Sequence, residues 1–221
     1  MDTSKPTVWI YERGINGWAS IIGSWNNWPN QAIVWTHTNT SSKAQTLSYF
    51  AGPFTAGLSR HRRALAFSKL LRAYTVLNWN VHLVCHSEGT ATGLEAMRLA
   101  GYPRIESVHL LCGACDSNFE RNGLNYALKT GKIGKVFCYR ADNDGAMKLE
   151  DTVLGLAMFG ISWNDLPLGL SGPVNVGAGL MGVKVLEHHW PDYGHSTCFE
   201  PTHFIDTMEL LIQNSQAEQT P

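Results

Sequence analysis

The sequence predicts an α/β fold, a mainly parallel sheet with helices on both faces, and two observations carry that expectation. Short apolar runs alternate with segments of helical period from one end of the chain to the other, the pattern of a parallel sheet that is covered above and below. The run Val81-His82-Leu83-Val84 ends in Cys85-His86-Ser87-Glu88-Gly89 and passes straight into a helical stretch. That succession of strand, tight serine turn and helix builds a nucleophile elbow. A chain of 221 residues is long enough to bury one sizeable core, so a single domain over residues 1–221 is expected.

The elements follow in order. Thr-Val-Trp-Ile-Tyr at 7–11 reads as the first strand and leaves a glycine-bearing loop at 12–17. Ala-Ile-Val-Trp-Thr-His at 32–37 reads as the second, after a Trp- and Asn-rich loop at 24–30. Residues 38–57 read as a long irregular connection holding Tyr49, Phe50 and Phe54. A helix is predicted over 59–74, with Leu65, Leu71 and Tyr74 near one face and arginines on the other. The elbow strand comes next, followed by a helix over 91–100 whose apolar side is Ala91, Leu94, Ala96 and Met97.

Strands at 107–112 and 135–139 flank a helix at 118–130, and 182–186 is the last strand. A loop carrying His195 then leads to a closing amphipathic helix built on Phe204, Met208 and Leu211. Residues 148–181 keep no period and carry Gly155, Gly160, Pro167, Gly169, Gly172 and Pro173. A segment this long before the last strand reads either as a cap over a site or as a decorated loop on the sheet edge.

Composition narrows the partners. A net charge of -1 and a near-neutral isoelectric point give no reason to expect nucleic acid. The one basic cluster, Arg60-His61-Arg62-Arg63, reads as a solvated helical face. Residues 1–6 are short and polar, and no run approaches the roughly 20 apolar residues of a membrane span. A cytoplasmic protein without an integral membrane segment is therefore expected. The five cysteines, at 85, 112, 115, 138 and 198, are odd in number and lie mostly in or beside apolar runs, as free thiols in a reducing compartment would. The C-x-x-C of Cys112 and Cys115 has no second pair and is not read as a zinc or redox motif.

Ser87 is the candidate nucleophile, since Cys85 and Gly89 supply the small residues that a strained turn needs two positions either side. A serine hydroxyl needs a base, and the base needs an acid to orient it. In this type of fold the chain order is serine, acid, histidine. Of His188, His189, His195 and His203, the candidate base is His195, because Gly194 permits a tight turn before the closing helix; His189 is the reserve. Three loop aspartates qualify as the acid: Asp144 and Asp142 after the penultimate strand, and Asp116 after the one before it.

The oxyanion donors are expected at the backbone N–H of Glu88 and at Ile15, in Gly14-Ile15-Asn16. A competing metal reading gathers His188, His189, Asp192 and His195, but these lie in a predicted loop without a helical i, i+4 pair. No metal and no cofactor are expected.

These motifs resemble the α/β-hydrolase superfamily over most of the chain, and more narrowly a bacterial and phage group of hydrolases of unknown function. Gly14-Ile15-Asn16 stands where the family has its oxyanion loop, Cys-His-Ser-Glu-Gly at 85–89 stands as its elbow, and Gly194-His195 as its histidine turn. In that group an Asn-Asp-x-Ala-Leu-like segment follows a strand ending in tyrosine. Asn143-Asp144-Gly145-Ala146-Met147 matches it, so the resemblance assigns the acid to Asp144. The chain departs from the pattern at Cys85, where the family has glycine, and at Arg13-Gly14, where it has His-Gly.

The resemblance implies a serine hydrolase acting on a small-molecule ester or thioester through an acyl-enzyme. The alternatives are a non-catalytic binding protein on the same fold, and an amidase or peptidase with the same triad. Arg13, Asn16 and Trp18 are the candidate substrate contacts, Arg13 toward a carboxylate or phosphate unless it pairs with Glu12. Trp25, Trp28, Phe159 and Trp163 suit an acyl pocket as well as ordinary packing.

Overall fold

In a parallel sheet covered on both sides, alternate residues of each strand must find apolar partners above and below. The computed structural model describes residues 5–14, 32–35, 52–150, 166–200 and 202–216. Its elements in chain order are β1 (Thr7–Glu12), β2 (Ala32–Trp35), α1 (Pro53–Val76), β3 (Asn80–His86), α2 (Glu88–Leu99), β4 (Ile105–Leu111) and α3 (Leu124–Lys129). There follow β5 (Ile133–Asn143), α4 (Gly145–Glu150), α5 (Leu168–Ser171), β6 (Val185–Gly194), a 3-10 turn (Thr197–Phe199) and α6 (Phe204–Gln216). No helix among the described residues is long and apolar enough to cross a membrane.

The six strands form one sheet in the order β2-β1-β3-β4-β5-β6, and every pair is parallel. Strand alternation divides its two faces. Val8, Ile10, Leu83, Cys85, Val108 and Leu110 pack with Phe67 of α1, Met97 of α2 and Leu128 of α3. Trp9, Tyr11, Val84, Leu111, Phe137 and Tyr139 pack with Phe199 and with Phe204 and Leu211 of α6. Helices thus cover both faces, as expected of this sequence class. The chain leaves β1 toward β2 and returns on the other side as β3. A crevice at such a switch point, beyond the carboxyl ends of the strands, is where open α/β sheets bind ligands.

The second face also holds a polar layer. His82 Nδ1 is hydrogen-bonded to Ser107 Oγ at 2.7 Å, and His109 Nδ1 to Tyr139 Oη at 3.0 Å. Asn214 of α6 donates to Tyr139 Oη and to His188 Nε2, at 2.9 and 3.0 Å. Trp9 stacks on His82, and His109 on Phe137. Burial pushes the His82 pKa down to about 4 and holds His109 well below its ordinary value, so both are neutral.

Several elements differ from the sequence reading. α1 begins at Pro53 rather than near 59, because Gly52 at φ 107 turns the chain and proline suits a first helical turn. Its buried face is Ala64, Phe67 and Leu71, while Leu65 is exposed. The basic cluster is not a purely solvated face: Arg63 is buried in a two-pronged ion pair with Glu88, and Arg60 and His61 both reach Glu95. The helix expected at 118–130 is only α3, since the Asp116, Asn118 and Asn122 side chains bond nearby backbone amides and turn the chain instead. β6 starts at Val185 and runs to Gly194, so His188, His189 and Asp192 lie in a strand, not a loop.

Candidate active site

Ser87 is the first residue after β3 and sits at φ 55, ψ -130, a conformation that few residues with a side chain adopt. The turn is made by close packing. A Cβ on Gly14 would lie 2.7 Å from Ser87 Cβ, and one on Gly93 would lie 2.5 Å from Cys85 Sγ. A Cβ on Gly89 would run into the Glu12 carbonyl oxygen. β1, the elbow and the first turns of α2 therefore approach as closely as backbone allows. Ser87 N–H donates to the Leu111 carbonyl at 3.0 Å, while Thr90 Oγ1 and the Ala114 N–H donate to the Ser87 carbonyl at 2.6 and 3.2 Å.

Asp144 and His195 are the residues directly after β5 and β6. His195 Nδ1 donates to Asp144 Oδ2 at 2.8 Å, and the Met147 N–H donates to Asp144 Oδ1 at 2.8 Å. The Asp144 carboxylate is fully buried, and the His195 side chain keeps 21% exposure. The other two aspartates are engaged elsewhere. Asp142 accepts from His189 Nε2 at 2.6 Å in an exposed pair, and Asp116 accepts from the Asn118 N–H and pairs with Arg121. Strand alternation sends His188 to Asn214 on one side and His189 to Asp142 on the other, so these histidines do not converge with His195.

Two neighbours of the pair escaped the sequence reading. His86, buried at the end of β3, donates from Nε2 to the His195 carbonyl at 2.8 Å, and its ring lies against those of His195 and Phe199. Burial, with the nearby His195, drives its pKa down to about 3, so it acts as a neutral donor. Cys112, the first residue after β4, is buried at φ 46. Burial, then Cys198 and Asp144, hold its thiol well above the ordinary value. The sequence signals were slight: a histidine next to the elbow serine, and a cysteine ending the adjacent strand.

Glu88 opens α2, which puts its backbone N–H in the first turn, while its side chain is turned away to Arg63 and Thr92. Arg13 directly follows β1 and is buried. Ile15, Asn16, Trp18, Trp25, Trp28, Phe159 and Trp163 lie outside the described residues. Of the cap candidate, α5 is held to the loop after β4 by bonds from the Leu168 and Gly169 N–H groups to the carbonyls of Cys115 and Gly113, at the carboxyl end of the strands, where Ser87 also lies. Residues 151–165 lie outside the description. Ser87 Oγ makes no hydrogen bond to His195 among the described residues. In comparisons with known proteins, no family model and no curated protein matches the chain.

Proposed function

We propose that the protein is a serine hydrolase of the α/β-hydrolase type, acting on a carboxylic ester or thioester. The observation that carries this reading is the meeting, at one sheet edge, of an elbow serine with a 2.8 Å His195–Asp144 pair whose histidine is tied to the residue before the serine. In this mechanism Ser87 Oγ attacks the acyl carbon, and His195 Nε2 takes the hydroxyl proton and later returns it to the leaving group. Asp144 keeps the proton on Nδ1, so that Nε2 is the basic nitrogen. The Glu88 N–H is one oxyanion donor and Ile15 the other; Arg13, Asn16 and Trp18 contact the substrate.

A typical sheet of this superfamily has eight strands, one of them antiparallel, whereas the six described here are all parallel. The family reading therefore rests on chain order, with Ser87, Asp144 and His195 directly after β3, β5 and β6. The missing Ser87–His195 bond is the observation that favours a non-catalytic binding protein, although such bonds are often long before substrate binds.

Turnover of nitrophenyl esters and acyl thioesters of graded chain length separates the two. The hydrolase reading expects saturable hydrolysis that falls to the background rate in Ser87→Ala while the urea midpoint is kept. Wild-type protein that turns over none of these substrates, nor an anilide, contradicts it.

A further inference from the structure

We infer that His86, Cys112 and His195 form a binding site for a borderline-soft divalent cation of the zinc type, and that its occupation switches the candidate active site off. One ring nitrogen of each histidine and the cysteine sulfur all lie within 4.8 Å of one another. A cation at their centre is at most about 2.8 Å from each donor, against about 2.0–2.3 Å in a bound zinc site. Inward shifts of well under an ångström for each side chain would close the site.

The donor set suits this class of ion. Two imidazoles and a thiolate favour zinc or cobalt over magnesium or calcium, which take oxygen ligands. Each imidazole gives its single N–H to an oxygen, His86 to the His195 carbonyl and His195 to Asp144, which leaves one lone-pair nitrogen on each ring. Charge balance favours it too. On binding, the Cys112 proton passes to solvent and a sulfur–metal bond forms, with no change of oxidation state. The dication then faces one thiolate and the buried Asp144 carboxylate, a formally neutral cluster in a place where uncompensated charge is costly. The partly exposed His195 is the side from which an ion enters.

A metal bound to His195 takes up the ring that must accept the Ser87 proton, so metal and catalysis exclude each other. This regulatory half rests on the hydrolase reading; the metal site does not.

Titration of the metal-free protein with Co2+ under reducing conditions tests both. Wild type is expected to show a sulfur-to-cobalt charge-transfer band, abolished by excess Zn2+ and unaffected by Mg2+. The band should be lost in Cys112→Ser, and in Cys112→Ala should the serine variant fold poorly, but kept in Cys115→Ala. No band in wild type, or a band that survives loss of Cys112, overturns the site. Zn2+ should also suppress fluorophosphonate labelling of Ser87 in wild type, over the same concentration range in which it abolishes the cobalt band. A cobalt band with labelling indifferent to Zn2+ overturns the regulation alone. A cobalt band in a protein that is never labelled leaves the metal site standing and removes the hydrolase.

Discussion

Ser87 holds φ 55 and ψ -130, a conformation that costs about 1–3 kcal/mol for a residue with a side chain and persists only where the surroundings over-determine it. Here they do: three glycines crowd the turn, and four of its backbone bonds are fixed. Asp144 is equally confined, held by the Met147 amide and the His195 ring. Asp144→Asn is therefore expected to lower kcat by about 10⁴-fold by reversing the histidine tautomer, with KM little changed. Asp142→Asn should leave kcat within about twofold, since its carboxylate bonds the exposed His189 and Lys148 reaches only its main-chain carbonyl. Steady-state kinetics of the two variants decide, and equal losses would mean that the acid is misassigned.

At the scale of elements, the site residues share one rule: Ser87, Cys112, Asp144 and His195 are each the first residue after β3, β4, β5 and β6. Parallel strands in register bring those positions to one edge, as when the Cys112 N–H bonds the Tyr139 carbonyl beside it. The elbow and the rank of each strand were legible in the sequence because small residues and apolar runs mark them locally. The choice among Asp116, Asp142 and Asp144 came only from the family resemblance, because no local pattern marks where β5 ends. β5 continues four residues past Tyr139, and that extension puts Asp142 inside the strand and Asp144 just beyond it. His86 and Cys112 were missed for a related reason: their partners lie on strands distant in sequence.

The fit of α2 against β1 belongs to this scale. Alanine for glycine ordinarily favours a helix by up to about 1 kcal/mol. At Gly89 the new Cβ meets main chain, the Glu12 carbonyl and, at 2.7 Å, the Arg13 carbonyl oxygen, neither of which has a soft side chain to move aside. Gly89→Ala is expected to lose about 1–3 kcal/mol in urea unfolding. Stability equal to or above wild type would show that α2 does not press on β1 as described.

For the whole molecule, the buried histidines couple stability to pH. His82 and His86 have folded pKa values of about 4 and about 3, and His109 and His188 are lowered as well, burial being the first cause in each case. Unfolded histidine titrates near 6.5. Below that pH the unfolded chain binds protons that the folded chain refuses. Stability is therefore fully present at neutral pH and is lost as pH falls from about 6.5 toward 4. Urea midpoints measured across this window should fall, and fall less steeply in His82→Phe, which keeps the stack on Trp9 and removes one titrating group. Equal slopes for the two proteins would mean that His82 does not stay neutral in the fold.

The hydrolase reading itself depends on an activated serine, since only a hydroxyl with a working base reacts quickly with a fluorophosphonate. Intact-mass and peptide mapping after brief exposure to the reagent is the most direct measurement. One adduct per chain is expected, on Ser87, absent in Ser87→Ala and strongly slowed in His195→Gln. An adduct on another serine, or none on folded wild-type protein, would contradict it.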